Sequence, residues 1–145
     1  MRKTTAVLGA ALIALAGCAA VQEKMPDWMP GSGAMKVSLS GTQEVPPVMT
    51  SAKGSGSFRV ASDGTLKGSV KTEGIRGIMA HIHRGAKGHN GPVVVPLVKN
   101  GDTYSVPAGT KLTQAQMADL KAGRLYVNVH SRAHKPGEIR AQIEP

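Results

Sequence analysis

Ile78-Met79-Ala80-His81-Ile82-His83 alternates with a period of two. Successive side chains of an extended strand point to opposite faces, so Ile78, Ala80 and Ile82 are expected on one face and His81 and His83 on the other. Leu125-Tyr126-Val127-Asn128-Val129-His130 repeats the pattern, with Leu125, Val127 and Val129 inward and Tyr126, Asn128 and His130 outward. If these strands are neighbours, or face each other across a rim, three imidazoles converge. That is the geometry of a metal site.

Working outward, the remaining pattern is also β. Lys36 to Ser40 alternates, and Glu44-Val45-Pro46-Pro47 ends it because proline lacks the ladder's donor. Gly54 to Val60 and Thr65 to Thr72 flank Ser62-Asp63-Gly64, a hairpin signal, and Asn100-Gly101 is another, leading into Thr103 to Val106. Pro92 to Leu97 reads as a short apolar strand, buried on both faces or at an edge. Glu138 to Ile143 is the last strand. One helix interrupts the strands: Thr113 and Gln116 have capping-box spacing, Leu112, Met117 and Leu120 form an apolar stripe, and Gly123 is the stop. Short strands with regular turn signals predict an all-β fold, an antiparallel Greek-key-like β-sandwich with one short connecting helix.

The chain has 145 residues, a length expected of one domain. It begins Met1-Arg2-Lys3, continues with an apolar run from Ala6 to Leu15 too short for a permanent membrane span, and reaches Leu15-Ala16-Gly17-Cys18. These residues resemble the bacterial lipoprotein signal, which implies cleavage after residue 17, lipid on Cys18 and a periplasmic domain anchored to the membrane. Ala19 is not aspartate, so the resemblance favours the outer membrane over the inner. Residues 18–34, with Met25-Pro26 and Met29-Pro30-Gly31, read as a Pro/Gly/Met tether. Soft Cu(I) could bind Met25 and Met29, but a spacer suffices to explain them. Cys18 is the single cysteine, so once lipidated it leaves the domain without disulfide, thiolate ligand or cysteine nucleophile.

The net charge is +9, or +7 once Arg2 and Lys3 leave with residues 1–17. A basic balance suits an anionic surface or the steering of a small anion. Nucleic acid is disfavoured. The aromatic residues are only Trp28, Phe58, Tyr104 and Tyr126, too few for base stacking, and export removes the protein from the genome. A Gly-x-Ser-x-Gly elbow and a phosphate-cradling glycine loop are both absent from the sequence, and Glu44 and Glu138 lie far apart in it.

All five histidines, His81, His83, His89, His130 and His134, lie on or beside the two strands quoted first. Imidazole suits copper, zinc and nickel, with Cu(II) the tightest of the divalent first-row ions at a nitrogen site. His81, His83 and His130 are the primary candidate ligands. On a straight strand His134 would be about 13 Å from His130, so it joins only if Lys135-Pro136-Gly137 turns back; His89 depends likewise on its flanking glycines. Arg84, Arg132 and Arg140 are candidates for guiding an anion, with a pairing of Arg140 to Glu138 as the structural alternative.

Three stretches carry a family resemblance: Ser38-Leu39-Ser40-Gly41-Thr42-Gln43-Glu44-Val45-Pro46-Pro47, the run from Ala80-His81-Ile82-His83 through Gly91-Pro92-Val93-Val94, and Leu112 to Ile143. Together they resemble the CHRD domain, named after chordin, over Met35 to Ile143. The resemblance implies an exported β-sandwich without specifying a reaction. Locally, Gly77 to His83 is similar to the His-x-His copper-ligand strand of copper/zinc superoxide dismutases, and Gly123 to His130 to the later strand that supplies a further ligand. On that likeness His81, His83 and His130 are copper ligands. The long zinc-binding loop is missing, so zinc is less favoured.

Two functions remain at this point. One is a copper-binding lipoprotein, with superoxide dismutase-like activity or copper buffering. The other is a non-catalytic envelope module for binding or adhesion, in which the histidines are structural.

Overall fold

The computed structural model describes residues 33–145, so the expected signal, Cys18 and all but the last two residues of the expected tether lie outside the described residues. Nine antiparallel strands run in the order β5-β4-β8-β9-β1-β2-β3-β7-β6. They are β1 (Met35–Ser40), β2 (Lys53–Val60), β3 (Leu66–Glu73), β4 (Gly77–Arg84), β5 (Val93–Pro96), β6 (Val98–Asn100), β7 (Thr103–Ser105), β8 (Leu125–Ser131) and β9 (Ile139–Ile143). β1 meets β9 through a single register pair, Ser40 with Arg140. At the far ends β5 passes into β6 through Leu97 alone. The sheet therefore folds over on itself and nearly closes, which makes the two layers of the expected sandwich.

Alternation supplies the core. Val37, Leu39, Phe58 and Val70 from one half meet Ala80, Ile82, Val127, Val129, Ile139 and Ile143 from the other, all buried. At Ser62-Asp63-Gly64 the chain turns as expected: Gly64 has φ 87° and Asp63 Oδ1 accepts from the Thr65 amide at 2.9 Å. Asn100-Gly101 turns β6 into β7, with Gly101 at φ 59°. The helix α1 (Gln114–Lys121) has its capping box, Gln116 N donating to Thr113 Oγ1 at 3.2 Å and Thr113 N donating to Gln116 Oε1 at 2.9 Å. Leu112 and Leu120 join the core, and Gly123 (φ 66°) ends the helix.

Strict alternation fails in three places. Ile78, expected inward, is 39% exposed. The ladder slips between the pairs Gly77–Ser131 and Met79–His130, and this bulge turns Ile78 out of the core. The expected strand from Pro92 is broken at Leu97, whose amide donates to Ala80 O at 3.0 Å, and Val98–Asn100 form a strand of their own. The outward face of β8 is not in solvent: every residue of β8 is buried, because adjoining loops cover that face.

Candidate metal centre

β4 and β8 are hydrogen-bonded neighbours, with His81 opposite Asn128 and His83 opposite Tyr126. Directly paired residues share a face, so the expected convergence occurs. One ring nitrogen from each of His81, His83 and His130 lies within 4.8 Å of the others. His83 and His130 are buried, and His81 is half-buried.

Backbone carbonyls set the tautomers. His83 Nδ1–H donates to Gly91 O at 2.9 Å, and His130 Nδ1–H donates to Lys135 O at 2.8 Å. Both rings therefore present Nε2. Such carbonyl partners orient metal-binding imidazoles generally. His83 Nε2 is buried and has no hydrogen-bond partner among the described residues. His130 Nε2 accepts from His81 Nδ1–H at 2.9 Å, close to the roughly 3–3.5 Å that separates two nitrogens sharing one ion with bonds of about 2.0–2.1 Å. Burial, followed by the His130 and His83 rings, holds His81 below the ordinary imidazole range. Burial also lowers His83, with the Gly91 carbonyl opposing it. Neutral imidazole is the metal-binding form. An orphaned nitrogen, two tautomers fixed for Nε2 ligation and an all-imidazole donor set fit copper.

The covering loop, residues 85–92, is tied down from β9. Arg140, 1% exposed, donates to His89 O at 2.9 Å, to Asn90 Oδ1 at 3.2 Å and to Ala86 O at 3.3 Å. Gln142 Nε2 donates to Gly85 O at 2.8 Å. The Tyr126 ring stacks on His83 at 4.8 Å and carries the Arg140 guanidinium 3.4 Å from its centroid. Tyr126 Oη accepts from the Gly91 amide at 3.1 Å.

The other candidates lie elsewhere. His89 is exposed, and the loop uses its carbonyl. His134 is half-buried and lines a cavity of about 190 Å³ with Glu44, Pro47 and Pro136; neither belongs to the three-histidine group. Arg84 Nε pairs with Asp119 Oδ2 at 2.8 Å. Arg132 is exposed and lines a cavity of about 660 Å³ with Arg76, Lys99, Asp102 and Glu138, apart from the three histidines. The alternative pairing of Arg140 with Glu138 does not form: Glu138 Oε1 accepts from Thr50 Oγ1 at 2.8 Å, while Arg140 holds the loop.

Sequence reasoning passed over Tyr126 and Gly91 as supports for His83, and Glu44 as a buried neighbour of Arg140. Tyr126 could have been found by its place opposite His83 once β4 and β8 were paired. Gly91 gave no local signal.

Comparison with curated proteins gave no match, and comparison with solved structures gave none either. The CHRD-domain family profile matches residues 35–143, from the first residue of β1 to the last of β9. That span includes every strand of the described residues and all three converging histidines, and on it the chain belongs to the CHRD-domain family.

Proposed function

We propose that this CHRD domain binds copper through His81, His83 and His130, as an exported lipoprotein anchored through Cys18 to the outer membrane on its periplasmic side. The observation that carries the metal reading is the buried, unpartnered Nε2 of His83 facing two more imidazoles within 4.8 Å. An unmet buried polar atom calls for an explanation, and a bound ion is one. The export reading rests on Arg2, Lys3, the apolar run and the Leu15-Ala16-Gly17-Cys18 box.

When bound, copper supplies a Cu(II)/Cu(I) couple, the chemistry of superoxide dismutation or of copper buffering. The chain's own part is to hold Nε2 of His83 and His130 in place through the Gly91 and Lys135 carbonyls. To bind through Nδ1, His81 would give up its hydrogen bond to His130 and carry its one ring proton on Nε2 instead, remaining a neutral imidazole. The superoxide dismutase-like reading rests on the two strand likenesses, Gly77 to His83 and Gly123 to His130.

The test is a Cu(II) titration of the full chain carrying Cys18→Ser, metal-free at the start, beside the same chain with His81, His83 and His130 all changed to alanine. Tight one-to-one binding, lost in a variant that keeps its β-sheet circular dichroism, supports the site. Equal weak binding in both chains removes it and leaves a binding or adhesion module with structural histidines.

A further inference from the structure

Besides the histidines, the face of β4 that carries them bears a sulfur. Met79 precedes His81 by two residues and is the direct register partner of His130. It therefore lies on the face shared by His81, His83 and His130. Direct partners in an antiparallel pair have Cα atoms about 4.5–5.5 Å apart, and Met79 and His81 are about 7 Å apart along the strand. A methionine side chain, unbranched with three rotatable bonds, covers such distances. Met79 is 46% exposed, a large apolar side chain at the rim, and Ile78 beside it is turned out by the bulge. Bulges beside functional sites serve to re-aim side chains. A structural role in the core does not account for Met79, since it lies on the opposite face from buried Ala80.

A thioether is a soft ligand that selects Cu(I), whereas three imidazoles alone serve Cu(II) as well. We infer that Met79 supplies a sulfur ligand to copper held by His81, His83 and His130, and biases the site toward Cu(I). The inference rests on the metal reading above and adds an oxidation state to it. A site so biased suits taking up and handing on cuprous ion better than cycling between two states.

The test compares the full chain carrying Cys18→Ser with the same chain also carrying Met79→Leu. Leucine keeps the apolar rim and removes only the sulfur. Cu(I) affinity is read without oxygen by competition with a chromogenic cuprous chelator, and Cu(II) affinity by titration. The chain with His81, His83 and His130 all changed to alanine reports any Cu(I) held by Met25 or Met29. The expected result is a loss of at least about tenfold for Cu(I) with Cu(II) changed by less than about threefold. Each tenfold selective loss lowers the reduction potential of the bound couple by about 59 mV. A sulfur shell in the X-ray absorption spectrum of the Cu(I) form should vanish with it. If Met79→Leu holds both ions as the parent does, the inference is overturned and the histidine site stands. Parallel losses of both ions also overturn it, because they report disturbed rings rather than a missing sulfur. A parent chain that binds neither ion overturns the metal reading and this inference together.

Discussion

Glu44 is a carboxylic acid in a place that suits the neutral form. It is 5% exposed, its Oε1 has no hydrogen-bond partner among the described residues, and burial pushes its pKa from 4.5 up to about 7 against the opposing pull of Arg140 and Asn128. The folded chain therefore keeps a proton that the unfolded chain has already released. Folded pKa above unfolded pKa means the stability it contributes is complete below about 4.5 and is lost as pH rises through about 7. In urea unfolding of the metal-free protein, wild type should lose stability relative to Glu44→Gln across that interval, with the difference levelling off above it. Parallel stability curves for the two proteins would show that Glu44 ionises as freely folded as unfolded.

The loop over residues 85–92 is the element on which the site depends, and Gly91 is its tightest point. A Cβ at Gly91 would overlap the Arg84 carbonyl oxygen, so any side chain there moves the backbone. The same residue accepts from His83 Nδ1 and donates to Tyr126 Oη. Gly91→Ala should therefore weaken Cu(II) binding by about 10–100-fold, the usual effect of losing a partner behind a metal-bound histidine. Competition titration measures it, and unchanged affinity would mean that the carbonyl does not orient the ring. The sequence showed the two histidine strands, the hairpin turns and the helix cap, because each is written in residues two to four apart. It did not show that Ile78 leaves the core, since a bulge depends on the partner strand. Nor did it show that Arg140 would hold the 85–92 loop rather than pair with Glu138, because that contact joins residues about 50 apart in sequence.

Across the whole domain, protection is graded from the middle of the sheet to its ends. β8 is buried at every residue and has ladders on both sides, whereas β6 is exposed at every residue and pairs only with β7. Local opening follows buried contact and hydrogen bonding. Native-state hydrogen exchange should find the slowest amides in β8 and the fastest strand amides in β6; comparable rates would argue against this gradient. The near closure of the sheet has a further consequence for association between molecules. Its two end strands, β5 and β6, are adjacent in the chain through Leu97, and β5 ends in Pro96, which has no amide to offer a newcomer. Unpaired strand edges are where β proteins add neighbours and aggregate. A sheet whose ends are this short and this close offers little template for edge-to-edge growth, so the folded domain should stay dispersed at concentrations where an open sheet with long free edges would associate.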